Sequence, residues 1–333
     1  MIAGKGIKRI CGVVLAAGYG TRIKPITNKI PKPLIPVLGK PLLEILLGKL
    51  SRSGADSLHV NIHHLAESFL NRDFSAGIRP EFHHEEEILD TGGGIGNMRG
   101  DLEKHDLILL HNGDTISNLE YGPAIDFHLK NRALFTMILA GKSQTGTEEE
   151  NRTLPPPSVY VSDSGEVRRI GGTAPDGTAG MGYTGMAVIS PEALEFFPPG
   201  RKAGLVEVLR KMMHNSDSTV MGYCAGSEAG KPVWAEIGTP EDYLALHRRI
   251  MIDRVRFDPE LAPPLLPLHT GRGAEIAPDT RWKGFLEVGD RAIIGKGSVL
   301  ENCVVFPETV VEKETEAEYS IFFPGGRIKA GQS

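Results

Sequence analysis

The feature that most constrains the fold is an alternation of short apolar runs with amphipathic stretches between about Ile10 and Met221. The runs predicted as β-strands are CGVVLA, SLHVNI, DLILLHN, LFTMILA, GMAVIS and STVMGY. The stretches predicted as helices between them are LLEILLGKLSRSG, PAIDFHLKN and AGLVEVLRKMMHN. Such alternation is typical of an α/β fold with a mostly parallel sheet and helices on both faces. We therefore predict a Rossmann-like fold that binds its ligands at the carboxyl ends of the strands.

The C-terminal part of the chain has a different pattern. The prolines of DPELAPPLLPLHTGRG cannot continue the preceding helix, so we predict a catalytic domain over 1–255 and a second domain over 256–333. Apolar residues then recur every six positions, in one column of Ile293, Val299, Val305 and Val311 and another of Val288, Ile294 and Leu300. This period predicts a short left-handed β-helix of hexapeptide repeats, although two evenly spaced β-hairpins would give the same spacing. The unpaired ends of such a β-helix are also where a second copy of the chain could pair.

Composition limits the class of protein. A net charge of -5 and a pI near 6.1 argue against non-specific nucleic-acid binding, so an anionic ligand must meet a local cluster of cations. The cysteines Cys11, Cys224 and Cys303 have no CxxC spacing and favour neither a disulfide framework nor a zinc ribbon. Because the chain lacks a long apolar run and the apolar core of a signal peptide, we expect a cytoplasmic protein with no membrane partner.

Two pairs of adjacent histidines, His63-His64 and His83-His84, raise the question of a metal site. Adjacent residues on a strand point to opposite faces, so such a pair rarely chelates one ion. We therefore do not predict a zinc site at either pair.

A glycine-containing loop follows the first predicted strand, in the segment LAAGYGTRIKPITNKIPKP. It lacks both the GxxxxGK[ST] spacing of a P-loop and the third glycine of GxGxxG, and Gly18 and Gly20 alone would suit a plain turn. However, both glycines would let backbone N–H groups approach a triphosphate closely. Arg22 and Lys32 would add the positive charge that phosphoryl transfer requires.

The longer segment LAAGYGTRIKPITNKIPKPLIPVLGKPLLE closely resembles the GxGTRxxPxTxxxPKP signature of the sugar-1-phosphate nucleotidyltransferases. The resemblance extends over about residues 8–250, and short β-helical tails also occur in that family. It implies an enzyme that joins a nucleoside triphosphate to a sugar 1-phosphate and releases pyrophosphate. It further implies that Arg22 binds the leaving β,γ-phosphates and that Lys32 neutralises the α-phosphate. The nucleotide contacts implied by this loop are Ala16, Ala17, Gly18, Gly20 and Thr21.

The motif HNGD places Asp114 at the carboxyl end of a predicted strand. A carboxylate there is either a solvated turn residue or a Mg²⁺ ligand, and the resemblance implies the second role. It implies the same role for Glu236, although the family usually has an aspartate at that position. The attacking phosphate oxygen is already largely ionised near pH 7, because its second pKa is about 6, so no general base is expected.

Two further motifs concern the base and the sugar. EEILDTGGGIGN predicts a second glycine-rich turn, in which Gly92 and Gly93 would let a nucleobase pack against bare backbone. Glu85 or Glu87 would suit the N1 and N2 donors of guanine. GYTGM resembles the sugar-pocket strand of the family. It implies that the hexose lies against Gly185, and we predict two further sugar contacts, Asn112 and Tyr183.

The substrate remains open at this stage. The segment EVRRIGGTAPDG lacks the Glu-Lys-Pro that holds the sugar phosphate in many members of the family. We favour mannose-1-phosphate guanylyltransferases as the nearest branch, with uridylyltransferases of amino sugar phosphates such as N-acetylmuramate 1-phosphate as the alternative. A catalytically silent subunit that binds nucleotide sugars is the third hypothesis.

Overall fold

The computed structural model describes residues 9–74, 77–141, 154–174, 180–215, 219–225 and 231–331. The chain forms two compact units, one of Met1–Gly18 and Leu46–Trp234 and the other of Tyr19–Ile45 and Ala235–Ser333. This division does not coincide with the boundary predicted at residue 255, which stays a prediction about domains. No helix among the described residues is long and apolar enough to cross a membrane.

The secondary structure follows the predicted runs closely. The helices are α1 Leu42–Arg52, α2 Glu67–Leu70, α3 Asp90–Asn97, α4 Arg99–Leu102, α5 Tyr121–Lys130, α6 Leu205–Met213 and α7 Pro240–Met251. The strands of the first unit are β1 Ile10–Leu15, β4 Ser57–Ile62, β5 Glu81–His84, β6 Leu107–Asn112, β7 Thr115–Ser117, β8 Phe135–Ala140, β9 Val159–Val161, β10 Val167–Ile170, β11 Gly180–Ile189 and β12 Val220–Ala225. Those of the second are β2 Pro36–Val37, β3 Lys40–Pro41, β14 Leu268–Thr270, β15 Glu275–Ile276, β16 Arg281–Val288, β17 Ile293–Ile294, β18 Val299–Val305, β19 Val310–Val311, β20 Glu316–Glu318, β21 Ser320–Phe323 and β22 Gly326–Lys329. The strand β13 Trp234–Glu236 spans the division between the units.

The first unit contains a mixed sheet in which, among the described strands, four neighbouring pairs are parallel and four are antiparallel. β1 pairs in parallel with β4 and β6, β4 with β5, and β8 with β12, whereas β11 runs antiparallel to both β6 and β8. The predicted α/β fold with a parallel sheet is confirmed for β1, β4, β5, β6, β8 and β12, whereas β9, β10 and β11 pair antiparallel with their neighbours. Leu15 at the end of β1 is in register with Asn61 of β4 and Asn112 of β6. The carboxyl ends of these three strands therefore lie at one edge of the sheet, where the first glycine loop begins.

The second unit stacks short strands in parallel with offsets of 17 or 18 residues. Trp282 pairs with Leu300, an offset of 18, and Val288 pairs with Val305, an offset of 17. The same parallel stacking links β15, β17 and β19. Three six-residue segments make an 18-residue coil, so the offsets agree with the predicted period. That these coils form a left-handed β-helix stays a prediction.

The apolar column that faces the core differs in part from expectation. One predicted column is buried throughout: Val288, Ile294 and Leu300. In the other column, Ile293 is 40% exposed and Val299 is half-buried, and burial begins only at Val305. The reason is the shorter coil, because an offset of 17 moves the inward position one residue earlier in the six-residue repeat.

Buried contacts join the β2–β3 hairpin of the second unit to α7 and to β16. The Tyr243 hydroxyl donates a hydrogen bond to the Pro36 carbonyl at 2.5 Å. The side chains of His247 and Glu287 are fully buried, and His247 Nε2 lies 2.5 Å from Glu287 Oε2. Glu287 Oε1 also accepts a hydrogen bond from the Gly39 N–H at 2.9 Å. These contacts explain why the residues around the hairpin group with the C-terminal strands.

Candidate active site

In the second unit, the residues that follow the first glycine loop form a cluster of opposite charges. Arg22 lies in the 3₁₀ turn Thr21–Ile23, and Lys32 begins a further 3₁₀ turn. Glu236 Oε1 lies 2.5 Å from Arg22 Nη2 and 3.9 Å from Lys32 Nζ. The Arg22 side chain is 62% exposed, whereas that of Lys32 is 10% exposed. The structure thus brings both predicted catalytic cations to one predicted metal ligand.

A left-handed backbone at Gly20 shapes the turn that carries Arg22. Its φ is 61°, and its carbonyl accepts a hydrogen bond from Thr27 Oγ1 at 2.8 Å. A Cβ at this position would lie 2.8 Å from Thr27 Cγ2 and 3.2 Å from Lys32 Cβ. Any side chain would therefore be strained in backbone conformation and would press on the segment that holds Lys32.

The N-terminus of α7 fixes the backbone that follows Glu236. Thr239 and Asp242 form a capping box, in which Thr239 Oγ1 accepts from the Asp242 N–H at 3.2 Å and Asp242 Oδ2 accepts from the Thr239 N–H at 2.9 Å. A Cβ at Gly238 would lie 2.9 Å from Arg22 Nη1. Glycine at this position therefore lets the backbone approach the Arg22 guanidinium closely.

In the first unit, the start of the glycine loop rests on a buried hydrogen-bond network. The Ala16 N–H donates to Asn61 Oδ1 at 2.7 Å, and Asn61 Nδ2 donates to Glu85 Oε1 at 2.7 Å. Glu85 Oε2 accepts from the Leu89 N–H at 2.9 Å. Asn61 is 4% exposed and Glu85 is 2% exposed. Asn61 was not predicted as a site residue, although a polar residue at the end of an apolar strand beside a glycine loop is a usable signal.

This network corrects the predicted role of Glu85. Both of its carboxylate oxygens accept hydrogen bonds inside the protein, and the side chain is buried, so its position does not support a contact with a nucleobase. Glu87 is exposed and keeps that prediction.

The loop residues on either side of this network differ in exposure. Ala16 and Ala17 are buried, whereas Gly18 and Thr21 are exposed. Among the described residues, no heavy atom lies within 4 Å of a Cβ built at Gly18. Their contacts with a nucleotide stay predictions.

The second glycine-rich segment forms the helix α3, so the predicted turn is wrong. The N–H groups of Gly92 and Gly93 donate to the Ala203 carbonyl at 2.8 and 3.0 Å. A Cβ on Gly92 would lie 2.9 Å from that same oxygen, and one on Gly94 would lie 2.7 Å from Asn61 Nδ2. Close packing thus overrides the low helix propensity of glycine. A base contact at Gly92 or Gly93 stays a prediction, but the Cβ-facing side of Gly92 already meets protein backbone.

Asp114 lies half-buried in the turn between β6 and β7. The preceding Gly113 N–H donates to the Leu15 carbonyl at 2.9 Å, which ties this turn to the end of β1. Carboxylate oxygens are the hard ligands that Mg²⁺ prefers, so the donor chemistry of Asp114 and Glu236 fits this ion. One Glu236 oxygen is engaged by Arg22, and both metal-ligand roles stay predictions.

The predicted sugar strand contains a β-bulge. The pairing of β11 with β8 shifts register between Tyr183 and Met186, and Gly185 has a φ of 82°. A Cβ at Gly185 would lie 2.9 Å from Asn112 Cβ, so these two predicted sugar residues are neighbours. The Asn112 side chain covers the side of Gly185 on which a Cβ would project, and the sugar contacts of both residues stay predictions.

The Tyr183 hydroxyl is buried and has no hydrogen-bond partner among the described residues. Burial raises the pKa of Tyr183 above its usual range, so the hydroxyl stays a donor at neutral pH. An unpaired buried hydroxyl costs about 1–3 kcal/mol, so the Tyr183 hydroxyl is an unusual feature of β11.

Comparison with known proteins finds similarities to these elements. A family model described as nucleotidyl transferase matches residues 11–150, which include the first glycine loop and the Asp114 turn. Residues 11–150 are therefore similar to a nucleotidyl transferase domain. The enzyme class predicted from the sequence is therefore confirmed.

Curated relatives are similar to this chain over most of its length. Mannose-1-phosphate guanylyltransferase of Mycobacterium tuberculosis is 29% identical over 327 residues, covering 91% of this chain and 82% of that protein. UTP–glucose-1-phosphate uridylyltransferase of Synechocystis is 26% identical, and the alignment covers 95% of this chain and 85% of that protein. N-acetylmuramate alpha-1-phosphate uridylyltransferase of Caulobacter vibrioides is 28% identical, and the alignment covers 72% of this chain and 96% of that protein. These relatives match the predicted family and divide between guanylyl and uridylyl transfer.

Among solved structures, HddC of Yersinia pseudotuberculosis is similar with a TM-score of 0.55 and 24% identity. The alignment covers 71% of this chain and 96% of that protein. This likeness supports the α/β fold of the nucleotidyltransferase.

Proposed function

We propose that this nucleotidyltransferase transfers a nucleotidyl group from a nucleoside triphosphate to a sugar 1-phosphate, with guanylyl transfer to mannose 1-phosphate as the favoured reaction. The observation that carries the proposal is the convergence of Arg22 and Lys32 on the Glu236 carboxylate, beside the first glycine loop. Two cations that already gather around one anion are arranged to bind phosphate oxygens.

The reaction needs charge neutralisation more than acid–base chemistry. A phosphate oxygen of the sugar 1-phosphate attacks the α-phosphorus, and the bond from that phosphorus to the oxygen bridging the β-phosphate breaks. Pyrophosphate leaves with the electron pair of the broken bond. Arg22 would bind this leaving group and Lys32 would neutralise the α-phosphate, which together lower the barrier to bringing two anions together.

A triphosphate that reaches Arg22 must compete with Glu236. In our proposal nucleotide binding exchanges the Glu236–Arg22 ion pair for contacts between Arg22 and phosphate. Asp114 and Glu236 stay the carboxylates proposed to hold Mg²⁺, an ion that would supply further positive charge to the phosphates when bound.

Uridylyl transfer to an amino sugar phosphate is the second candidate. The burial of Glu85 favours it, because this removes one of the two carboxylates predicted to read the donors of guanine. The similarity to the Caulobacter vibrioides uridylyltransferase also supports it.

The test is pyrophosphate release in the presence of Mg²⁺. Each common nucleoside triphosphate is paired with the 1-phosphates of mannose, glucose, N-acetylglucosamine and N-acetylmuramate, and a sample without sugar phosphate controls for hydrolysis. Turnover with GTP and mannose 1-phosphate supports the favoured reaction, and turnover with UTP and an amino sugar phosphate supports the second candidate. If a folded protein binds nucleotide sugars but releases no pyrophosphate with any pair, the chain is a binding subunit and the proposed reaction is wrong.

A further inference from the structure

Three side chains of types that can bind a metal lie together on the edge of the sheet in the first unit, outside the predicted phosphate and sugar motifs. His59 is on β4, and Glu81 and His83 are on β5, with His59 directly in register with Glu81. Glu81 and His83 are two positions apart, so their side chains share one face of β5. Cross-strand pairing then places His59 beside them on the same face.

The distances between the candidate ligand atoms suit one small cation. His59 Nδ1 lies 3.1 Å from His83 Nε2 and 3.8 Å from Glu81 Oε2. In a tetrahedral zinc site with bonds of about 2.0–2.1 Å, two ligand atoms are about 3.3 Å apart. The two ring nitrogens are already near this separation. The Glu81 side chain is 66% exposed and has room to adjust by the remaining few tenths of an ångström.

The state of the rings also suits a metal. Burial, followed by the nearby His83, lowers the pKa of His59 to about 4, and burial lowers the pKa of His83 as well. Both imidazoles are therefore neutral at pH 7, and a neutral ring carries the lone pair that a metal ligand needs.

We propose that His59, Glu81 and His83 bind a divalent transition metal ion, with water in the fourth position. Two imidazoles and one carboxylate are a ligand set that suits Zn²⁺ and leaves one position open. The proposed site does not use two adjacent histidines. It combines Glu81 and His83, two positions apart on β5, with His59 of the neighbouring strand β4. His84, adjacent to His83, points to the opposite face of β5 and stacks with His63 at a ring-centroid distance of 6.4 Å.

The bound ion would stabilise the strands that carry Asn61 and Glu85, and through this network the start of the first glycine loop. Asn61 is two positions beyond His59 on β4, and Glu85 is two positions beyond His83, so the metal ligands and the buried network follow one another on one face. Two positions of a strand span about 7 Å. β5 pairs only with β4 among the described strands, so the ion would join this edge strand to its neighbour immediately before Glu85.

The test is calorimetric titration of the chelator-treated full chain with ZnCl₂, after removal of any histidine tag and with millimolar Mg²⁺ present to occupy hard carboxylate sites. The variants are His83→Gln and Glu81→Gln, and His84→Gln is the matched control on the opposite face. We expect one Zn²⁺ per chain, an affinity at least about 100-fold weaker in both site variants, and no change in the control. Visible absorption of the Co²⁺-loaded protein would show tetrahedral bands that the site variants lose.

Circular dichroism checks that each variant is folded, and the exposed position of Glu81 makes Glu81→Gln the safer of the two. Failure of the folded wild-type chain to bind Zn²⁺ would overturn the proposal. So would equal affinity in the wild type and in Glu81→Gln, or a loss in His84→Gln as large as in the site variants.

Discussion

The buried ion pair between His247 and Glu287 makes a quantitative prediction about stability. Both side chains are fully buried, and His247 Nε2 lies 2.5 Å from Glu287 Oε2. Glu287→Leu removes this partner of His247 and also the acceptor of the Gly39 N–H. Removing one member of a buried pair costs about 3–5 kcal/mol, because the other member stays buried without compensation. At about 2–4 °C per kcal/mol for a unit of this size, Tm should fall by about 6–20 °C.

A milder variant and a control sharpen this prediction. Glu287→Gln keeps an oxygen for the Gly39 N–H and loses only the charge, so it should cost less than Glu287→Leu. Glu316→Gln, at an exposed position of β20, should change stability by less than about 0.5 kcal/mol. Thermal and urea unfolding followed by circular dichroism measure all three variants. A free energy of unfolding for Glu287→Leu within 1 kcal/mol of the wild type would refute this account of the pair.

The pH dependence of stability follows from the same pair. Burial by itself would raise the pKa of Glu287, but the charge of His247, its hydrogen bond, nearby His269 and the Gly39 N–H together lower it below the usual value. A carboxyl whose pKa is lower in the folded state stabilises the protein above its unfolded pKa of about 4.3. This contribution is lost as pH falls through the folded pKa. The wild type should therefore lose more stability than Glu287→Leu as pH is lowered below about 4.

The remaining predictions concern the two predicted substrate regions. Gly94→Ala should destabilise the protein by about 1–3 kcal/mol, because the added Cβ would lie 2.7–2.8 Å from atoms of Asn61 and Glu85. The control Gly100→Ala in α4 adds a Cβ in open space and should be neutral or stabilising in the same unfolding assay. Equal effects of the two substitutions would contradict this prediction. Glu236→Asp, one methylene shorter, should weaken the ion pair with the exposed Arg22, and an exposed pair of about 0.2–1 kcal/mol predicts a KM for the triphosphate up to about five-fold lower. An unchanged or higher KM would mean that the pair does not compete with nucleotide. Tyr183→Phe should leave stability unchanged or higher, since its hydroxyl is unpaired, and should raise the KM for sugar 1-phosphate; a KM equal to that of the wild type would exclude a sugar contact.

Apolar periodicity predicted most of the first unit because its strands are buried. The run SLHVNI, for example, forms β4 over the predicted residues. The helix α3 was missed because three consecutive glycines disfavour a helix, and only the packing of Gly92 and Gly94 against neighbouring segments explains it. These contacts involve residues distant in sequence, so the local sequence does not predict them.

The candidate site was predictable in its residue types and less so in its contacts. The motif around Arg22 and Lys32 indicated phosphate chemistry, but their pairing with Glu236 depends on residues more than 200 positions apart. Glu85 is of a residue type that could accept hydrogen bonds from guanine. Its burial instead favours a role in holding Asn61 and the Leu89 backbone. The grouping of His59 with β5 required the register of two strands, which sequence spacing does not reveal.

In the proposed reaction Arg22 binds and stabilises the leaving pyrophosphate. The most direct test is kcat/KM for pyrophosphate release by the wild type and by Arg22→Gln, with the substrate pair that the screen identifies. Losing one group that stabilises developing charge should lower kcat/KM by about 10²–10³-fold while the free energy of unfolding changes by less than about 1 kcal/mol, because the Arg22–Glu236 pair is exposed. A kcat/KM within about three-fold of the wild type, in a folded variant, would contradict the claim.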